Sequence, residues 1–490
     1  MDIFFSSRQS QYLWIVFILL TSVVMGIAAA TKPQILTIGI IAAFGIALLF
    51  NKFEFSILSL LIIRSSLDPF SKYQLASLLA LAIDGITICY VIGCLLLHKR
   101  IKADWWMIFL LFWTLLTALW PLATSQGWLP KESEAFSIGI REWIRFASYG
   151  AIYTLVMQLR DKIPGQKLVS YLLLSLIVPI SAALGQLYFP TYLTKLWYEL
   201  RPFEELGHTR INGTLGHPNT FAVYLLLMGS LAWWKYRATA QKRWLALIGV
   251  ILFIYLKTNS LAGIAMVLVL IGVLGLPRLS FKSLATASLA ITLALGIFIS
   301  TDIGRTRLDI LQRTPLLNGD FSISKAVNLS YIDGNSFSWR IAQWSYLIKA
   351  WEHSPLFGYG LGTTELLTPF HNGAHNDFIR ALAETGLVGL FMFLVLWAAL
   401  FFRIADIWRQ APPSSSQKEL CLIMLGVYAA VTVGMTTEHY WQTTAFYFYW
   451  MTIIAVAGWK WPKEEVKPKL LPKPETYRLT APIELEGLRR

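Results

Sequence analysis

The sequence predicts an all-α fold, a polytopic bundle of transmembrane helices, and three observations lead there. Apolar residues make up 56% of the 490 positions and charged residues 14%, too little charge to cover a water-soluble chain of this length. Uncharged runs recur at the length that crosses a bilayer as a helix, about 20 residues. The lysines and arginines collect in short segments between those runs.

The apolar runs set the order of the elements. Residues 12–30 read as the first span, because the run is too long for the apolar core of a cleavable leader and lacks a convincing cleavage site. Runs of spanning length follow at 34–50, 168–189, 258–276, 283–301, 387–402, 420–437 and 440–459. Shorter or charge-bearing candidates lie at 53–63, 75–97, 105–120, 139–159, 218–234 and 244–256. Together they predict about 12 to 14 spans. Cys89 and Cys94 share one apolar run and Cys421 lies in another, which suits small core residues and neither a disulfide framework nor a metal site. There is no internal repeat and no heptad run.

The net charge of +14 raises nucleic acid as a partner, and its placement argues against it. The basic clusters at 98–102, 160–167, 235–243, 278–282 and 403–418, and the tail from Lys460, all adjoin spans. Placing each on the cytoplasmic side satisfies the positive-inside rule with alternating crossings and leaves both termini inside. Membrane lipids are then the natural partner of this charge. The outer side receives 64–74, 121–138, 190–217, 302–375 and the short Glu438-His439 turn.

The chain therefore divides into N-terminal transmembrane helices at 1–189, an external loop with Arg210 at 190–217, and central helices at 218–301. A long external loop with an amphipathic helix follows at 302–376, then C-terminal helices at 377–459 and a cytoplasmic, Pro-rich, disordered tail at 460–490. Loops as long as the two external ones are usually functional or disordered, and their aromatic content and helical patterning speak against disorder.

In the first loop, Pro218 suits the first position of a helix, with His217 or Gly216 as its cap. The free N–H groups of that helix form a ready anion site, which Arg210 a few residues upstream can complete. Arg210 paired with Glu204, Glu205 or a lipid phosphate is the equally open alternative.

In the second loop, Ile341, Trp344, Leu347, Ile348 and Trp351 recur at helical spacing, so 338–351 is expected to lie on the membrane surface or roof the bundle. Arg340 falls in its first turn, either facing a ligand or as an exposed charge on a structural lid. The glycines of Pro355-Leu356-Phe357-Gly358-Tyr359-Gly360-Leu361-Gly362 follow no strand and so form no nucleotide loop; they read as permissive backbone beside a substrate. His371, His375 and Asp377 make a poor metal set, with asparagines and a helix start between them. His375 stands immediately before good caps, Asn376 and Asp377, where it serves either as a general base or as a capping or interface histidine.

These segments together resemble the O-antigen ligase and O-antigen polymerase family of bacterial envelope glycosyltransferases. The resemblance rests on Arg210 with Gly216-His217-Pro218-Asn219-Thr220-Phe221-Ala222, and on Trp339-Arg340 followed by Trp344, Ala350 and Pro355-Leu356-Phe357-Gly358-Tyr359-Gly360. It also rests on His375-Asn376-Asp377 with Glu384-Thr385-Gly386, and covers roughly the second half of the chain. Relatives often carry Ser-Arg near the outer end of a middle span, whereas this chain has Ser260-Leu261 with Lys257 nearby, a lysine that cannot form a planar bidentate fork.

The resemblance implies a membrane glycosyltransferase of GT-C-like architecture that needs neither metal nor cofactor. It implies transfer of a glycan from an undecaprenyl-diphosphate-linked donor to a hydroxyl of a glycan, lipid or protein acceptor, at the periplasmic face of the bacterial inner membrane. Arg210 would hold the diphosphate and His375 would act as base, with Arg340, His217, Asn219, Lys257 and Asn376 contacting substrate. No acidic pair is placed as nucleophile and acid, so a single inverting displacement is expected. Within the family, ligase, polymerase and protein O-oligosaccharyltransferase stay open. From another class, a transporter of a small anion such as bicarbonate predicts charge near the bilayer midplane. Asp84 is the clearest such acid and reads rather as paired within the bundle; Arg141, Glu142 and Arg145 lie near a span's end.

Overall fold

The computed structural model describes residues 52–461 apart from 74, 130–133, 206–207 and most of 276–335. The expected spans at 12–30 and 34–50, most of that at 283–301, and nearly all of the tail lie outside the described residues.

The chain enters through α1 (Phe53–Arg64), a 3-10 turn at Asp68–Tyr73, and α2 (Leu75–Leu96). The Asp104 carboxylate accepts the Met107 N–H at 2.9 Å and so starts α3 (Trp105–Thr117), which α4 (Leu119–Ser125) nearly continues. α5 (Ala135–Met157) follows, then α6 (Gly165–Leu172), a 3-10 turn at Leu173–Leu176 and α7 (Ile177–Tyr188). A short α8 (Pro190–Leu196) leads into an antiparallel hairpin of β1 (Phe203–Glu205) and β2 (His208–Arg210), with Phe203 opposite Arg210. After it come α9 (Pro218–Thr239), α10 (Lys242–Lys257), α11 (Leu261–Gly275), α12 (Ser336–His353), α13 (Asp377–Gln410), α14 (Ser416–Gly434) and α15 (Thr444–Ala457). Among the described residues the hairpin is the only sheet, and the fold is otherwise all-α.

Among the described residues, five helical stretches are long and apolar enough to cross a membrane: Leu75–Leu96, Trp105–Ser125, Gly165–Tyr188, Asp377–Gln410 and Ser416–Gly434. α11 and α15 are apolar but shorter. Every residue of α15 is buried, packed on α5, α6 and α9, so its neighbours are protein rather than lipid. A helix apolar on all sides belongs in such a central position, held by close packing. Tyr447 stacks on Tyr149 of α5 at 4.9 Å and meets Trp441 edge-on at 4.8 Å.

α13 runs on N-terminally past the expected span, to Asp377, and bends at Gly386, whose φ of +65° leaves the helical region. The chain at 355–360 fills the break. Leu387 N–H donates to Pro355 O at 2.9 Å, Val388 N–H to Leu356 O at 3.1 Å, and Gly360 N–H to Glu384 O at 2.8 Å. A Cβ at Gly386 would overlap the Leu356 carbonyl. The glycines expected beside a substrate thus serve a backbone-to-backbone seam at a helix kink.

Two smaller expectations also change. Cys89 is exposed on α2, whereas Cys94 and Cys421 are buried. Asp84 Oδ1 is buried and has no hydrogen-bond partner among the described residues, so the pairing expected for it does not occur there.

Candidate functional site

Four separated segments meet at one carboxylate. Glu438, 4% exposed, occupies the turn between α14 and α15, where its N–H donates to Gly434 O at 3.0 Å. Its Oε1 accepts from Arg340 Nη2 at 2.7 Å and from Asn219 Nδ2 at 2.5 Å. Its Oε2 lies 3.0 Å from His375 Nδ1.

Local folding explains each approach. Asn376 caps α13, its Oδ1 accepting from the N–H groups of Phe378 and Ile379 at 3.0 Å each. Asn376 Nδ2 donates to Thr436 O at 2.9 Å, and Asp377 N–H donates to Met435 O at 2.9 Å. The start of α13 is thereby stapled to the end of α14. His375, one residue earlier and in the left-handed region at φ +47°, is turned onto Glu438. Its ring is flanked edge-on by Trp339 at 5.3 Å and His439 at 4.5 Å. Arg340, with 17% of its side chain exposed, also donates from Nε to Thr437 O at 3.2 Å.

His217 caps α9, and its Nδ1 accepts the Asn219 N–H at 3.2 Å. Asn219 bridges onward, since its Oδ1 accepts from Arg210 Nη2 at 2.8 Å. Arg210 is 5% exposed and sends Nε to Thr258 O at 2.9 Å. Its guanidinium thus links the end of α10 to the first turn of α9. Lys257 joins this region through its backbone, accepting the Ile211 N–H at 3.1 Å. Its exposed side chain lies over the Phe253 ring, 5.9 Å from the centroid.

The electrostatics follow from the partners. Burial pushes the Glu438 carboxyl up, but the Arg340 guanidinium, the His375 hydrogen bond and the nearby imidazoles outweigh it and hold it well below the usual carboxylate range. Burial, with His375 alongside, lowers His439 to about 3 despite the opposing pull of Glu438. Glu438 is therefore ionised and can only accept, so the proton between it and His375 belongs on Nδ1.

His375, Glu438 and His439 offer ligand atoms within 4.8 Å of one another, the grouping best able to hold a metal among the described residues. Their partners make a poor fit for a cation. Arg340 and Asn219 already take Oε1, and the guanidinium neutralises the carboxylate that a metal would need.

Glu438 and His439 were not singled out as site residues from the sequence, although a lone acid and imidazole in a short turn between two apolar runs is itself unusual. A second buried network also emerges. Arg380 pairs with Glu142 of α5 at 2.9 Å and with Glu384 at 3.0 Å, Arg145 pairs with Glu142, and Thr364 Oγ1 donates to Glu384 at 3.1 Å. It ties the first turns of α13 to α5.

No curated protein matches the chain. Residues 243–394 match the family model described as O-antigen ligase. That stretch includes Lys257, Arg340, His375 and Asn376, while Arg210, His217, Asn219 and Glu438 fall outside it. Within an all-α bundle with several helices of spanning length, this matched region is similar to the O-antigen ligase family.

Proposed function

We propose that the protein transfers a glycan from an undecaprenyl-diphosphate-linked donor to an acceptor hydroxyl at the periplasmic face of the bacterial inner membrane. The match of residues 243–394 to the O-antigen ligase family model supports glycan transfer in general. The basic segments beside the spans support the orientation. The observation that carries the mechanism is the contact of His375 Nδ1 with Glu438 Oε2 at 3.0 Å.

With Nδ1–H donated to Glu438, His375 Nε2 is the nitrogen left to take a proton. The acceptor hydroxyl gives its proton to Nε2 as its oxygen bonds to the anomeric carbon. The bond from that carbon to the diphosphate oxygen breaks, and the lipid diphosphate leaves with the electron pair. Arg340, partly exposed beside His375, stabilises the charge that develops on it. Arg210 acts one step back, holding Asn219 against Glu438. His217 and Asn376 fix the helix starts on which Asn219 and His375 stand.

The test is reconstitution with a lipid-diphosphate-linked glycan, comparing wild type with His375→Ala and Arg210→Ala. Transfer with inverted anomeric configuration is expected from the wild type, and full transfer by His375→Ala would remove the proposed base. Lipid, lipid-linked glycan and peptide acceptors in parallel tell ligase, polymerase and protein O-oligosaccharyltransferase apart. Uptake of a small anion without any transfer would favour a transporter instead.

A further inference from the structure

A cavity of about 610 Å³ adjoins the Glu438 cluster, within the span of about 300–1,000 Å³ common for small-molecule sites. One wall is basic. Arg64, at the end of α1 and 3% exposed, is fixed by hydrogen bonds from Nε to Thr444 Oγ1 at 3.0 Å and from Nη1 to Asp68 Oδ1 at 2.8 Å. Arg145 enters from α5, its charge shared with Glu142. Arg141, one turn earlier, is exposed; among the described residues its hydrogen bond is from Nε to Ser137 O at 3.2 Å, which leaves its two terminal nitrogens for a ligand. Asp68 is the one carboxylate in the lining, among the described residues, against these three guanidinium groups.

The lining also carries apolar side chains. Leu78 and Leu81 of α2 are among them and are each 53% exposed, on a helix long and apolar enough to span a membrane. His439 also lines the cavity, and its ring lies 4.5 Å from that of His375. One space is thus lined by planar, multidentate anion donors, by exposed leucines of a helix of spanning length, and by His439, whose ring adjoins the proposed base.

Guanidinium forks match phosphate oxygens bidentately, and although Asp68 and Glu142 pair with Arg64 and Arg145, Arg141 has no carboxylate partner among the described residues. The exposed leucines separate a free phosphate from an amphiphile, because only the latter gains from apolar contact. We infer that this cavity is a second anion site, which takes the phosphate or diphosphate group of a lipid-linked substrate, with the chain along α2 and the sugar turned toward His439. The choice of a lipid-linked substrate rests on the glycosyl-transfer reading; the anion site itself does not. It also places substrate binding in the N-terminal half, outside residues 243–394.

The test separates binding from turnover. Titration of the full-length protein in nanodiscs with inorganic pyrophosphate should show saturable binding, weakened about tenfold or more in Arg141→Gln, which leaves the Glu142 pairs intact. Arg145→Gln should weaken it as well, with thermal unfolding as the check that the bundle persists. No saturable binding by wild type, or equal affinity in Arg141→Gln, overturns the site. Two-substrate kinetics then assign the occupant: KM rises for the donor or for a phosphorylated acceptor, with kcat within about threefold of wild type. Unchanged KM for both overturns the substrate assignment. A wild type that binds pyrophosphate and transfers nothing defeats the glycosyl-transfer reading while leaving the anion site in place.

Discussion

His375 Nδ1 lies 3.0 Å from Glu438 Oε2, while the other oxygen of the same carboxylate holds Arg340 and Asn219. One acid thus orients the proposed base and fixes the guanidinium beside it, as a carboxylate does for a histidine in other catalytic sites. His375→Ala should lower kcat by about 10²–10⁴-fold, the usual contribution of a general base. Glu438→Gln keeps the shape but loses the charge, and should lower kcat while Arg340 loses its ionic partner. Initial transfer rates check both, and wild-type turnover by either variant refutes the assigned pair.

Arg210 should behave as a positioning residue. Arg210→Ala removes the donors to Asn219 and Thr258 and leaves buried acceptors unpaired, at a cost of about 2 kcal/mol. The expected result is a lower melting temperature and lower kcat, with donor KM nearly unchanged. A large rise in donor KM at unchanged stability would mean that Arg210 meets the diphosphate after all.

Acid should loosen the turn between α14 and α15. Because burial holds His439 neutral down to about 3, the unfolded chain binds a proton below about 6.5 that the folded chain refuses. Stability is therefore lost as pH falls through that window, by at most about 1.4 kcal/mol per pH unit from this group. The depressed Glu438 carboxyl adds to the loss only below the ordinary carboxylate range, near 4.3, where the unfolded chain begins to take its proton. Thermal unfolding at pH 7 and pH 5, for wild type and His439→Gln, should show a smaller difference in the variant. An identical pH response in the two would rule His439 out as the source.

Chelation should leave transfer unaffected. Arg340 occupies the carboxylate that a cation would need, so rates after treatment with a strong chelator should stay within about twofold of the untreated protein. Loss of transfer that added divalent cation restores would show that His375, Glu438 and His439 bind metal.

Gly386→Ala should destabilise the protein by more than about 2 kcal/mol, since the new methyl meets the Leu356 carbonyl and the residue must keep φ at +65°. Denaturation in detergent measures this. A melting temperature equal to wild type would mean that the seam between 355–360 and α13 yields easily.

Much of the fold was legible because apolar length and helix caps are local properties. The run at 75–97 became α2, and Asn376 caps α13 through its own side chain. Candidate residues drawn from different loops, Arg340, His375 and Asn219, do meet in space. Their meeting point was not legible, because Glu438 is distant in sequence from all of them and nothing local marks which carboxylate will be shared. The protein partners of Arg210 were not legible for a similar reason: Thr258 and Asn219 reach it only through how β2 packs against the end of α10 and the start of α9. The direction of Lys257 was within reach, since Phe253 lies one helical turn before it on the same face.

The cluster around Glu438 is assembled from β2, the first turn of α9, α12, the start of α13 and the turn after α14. A contiguous fragment retains it only if it runs from β2 through the turn after α14. A truncation limited to residues 243–394 keeps Arg340 and His375 but discards Asn219 and the acid that orients them. A cut anywhere between α9 and α14 leaves each half with pieces useless without the other, so only co-production of the two halves can rebuild the constellation.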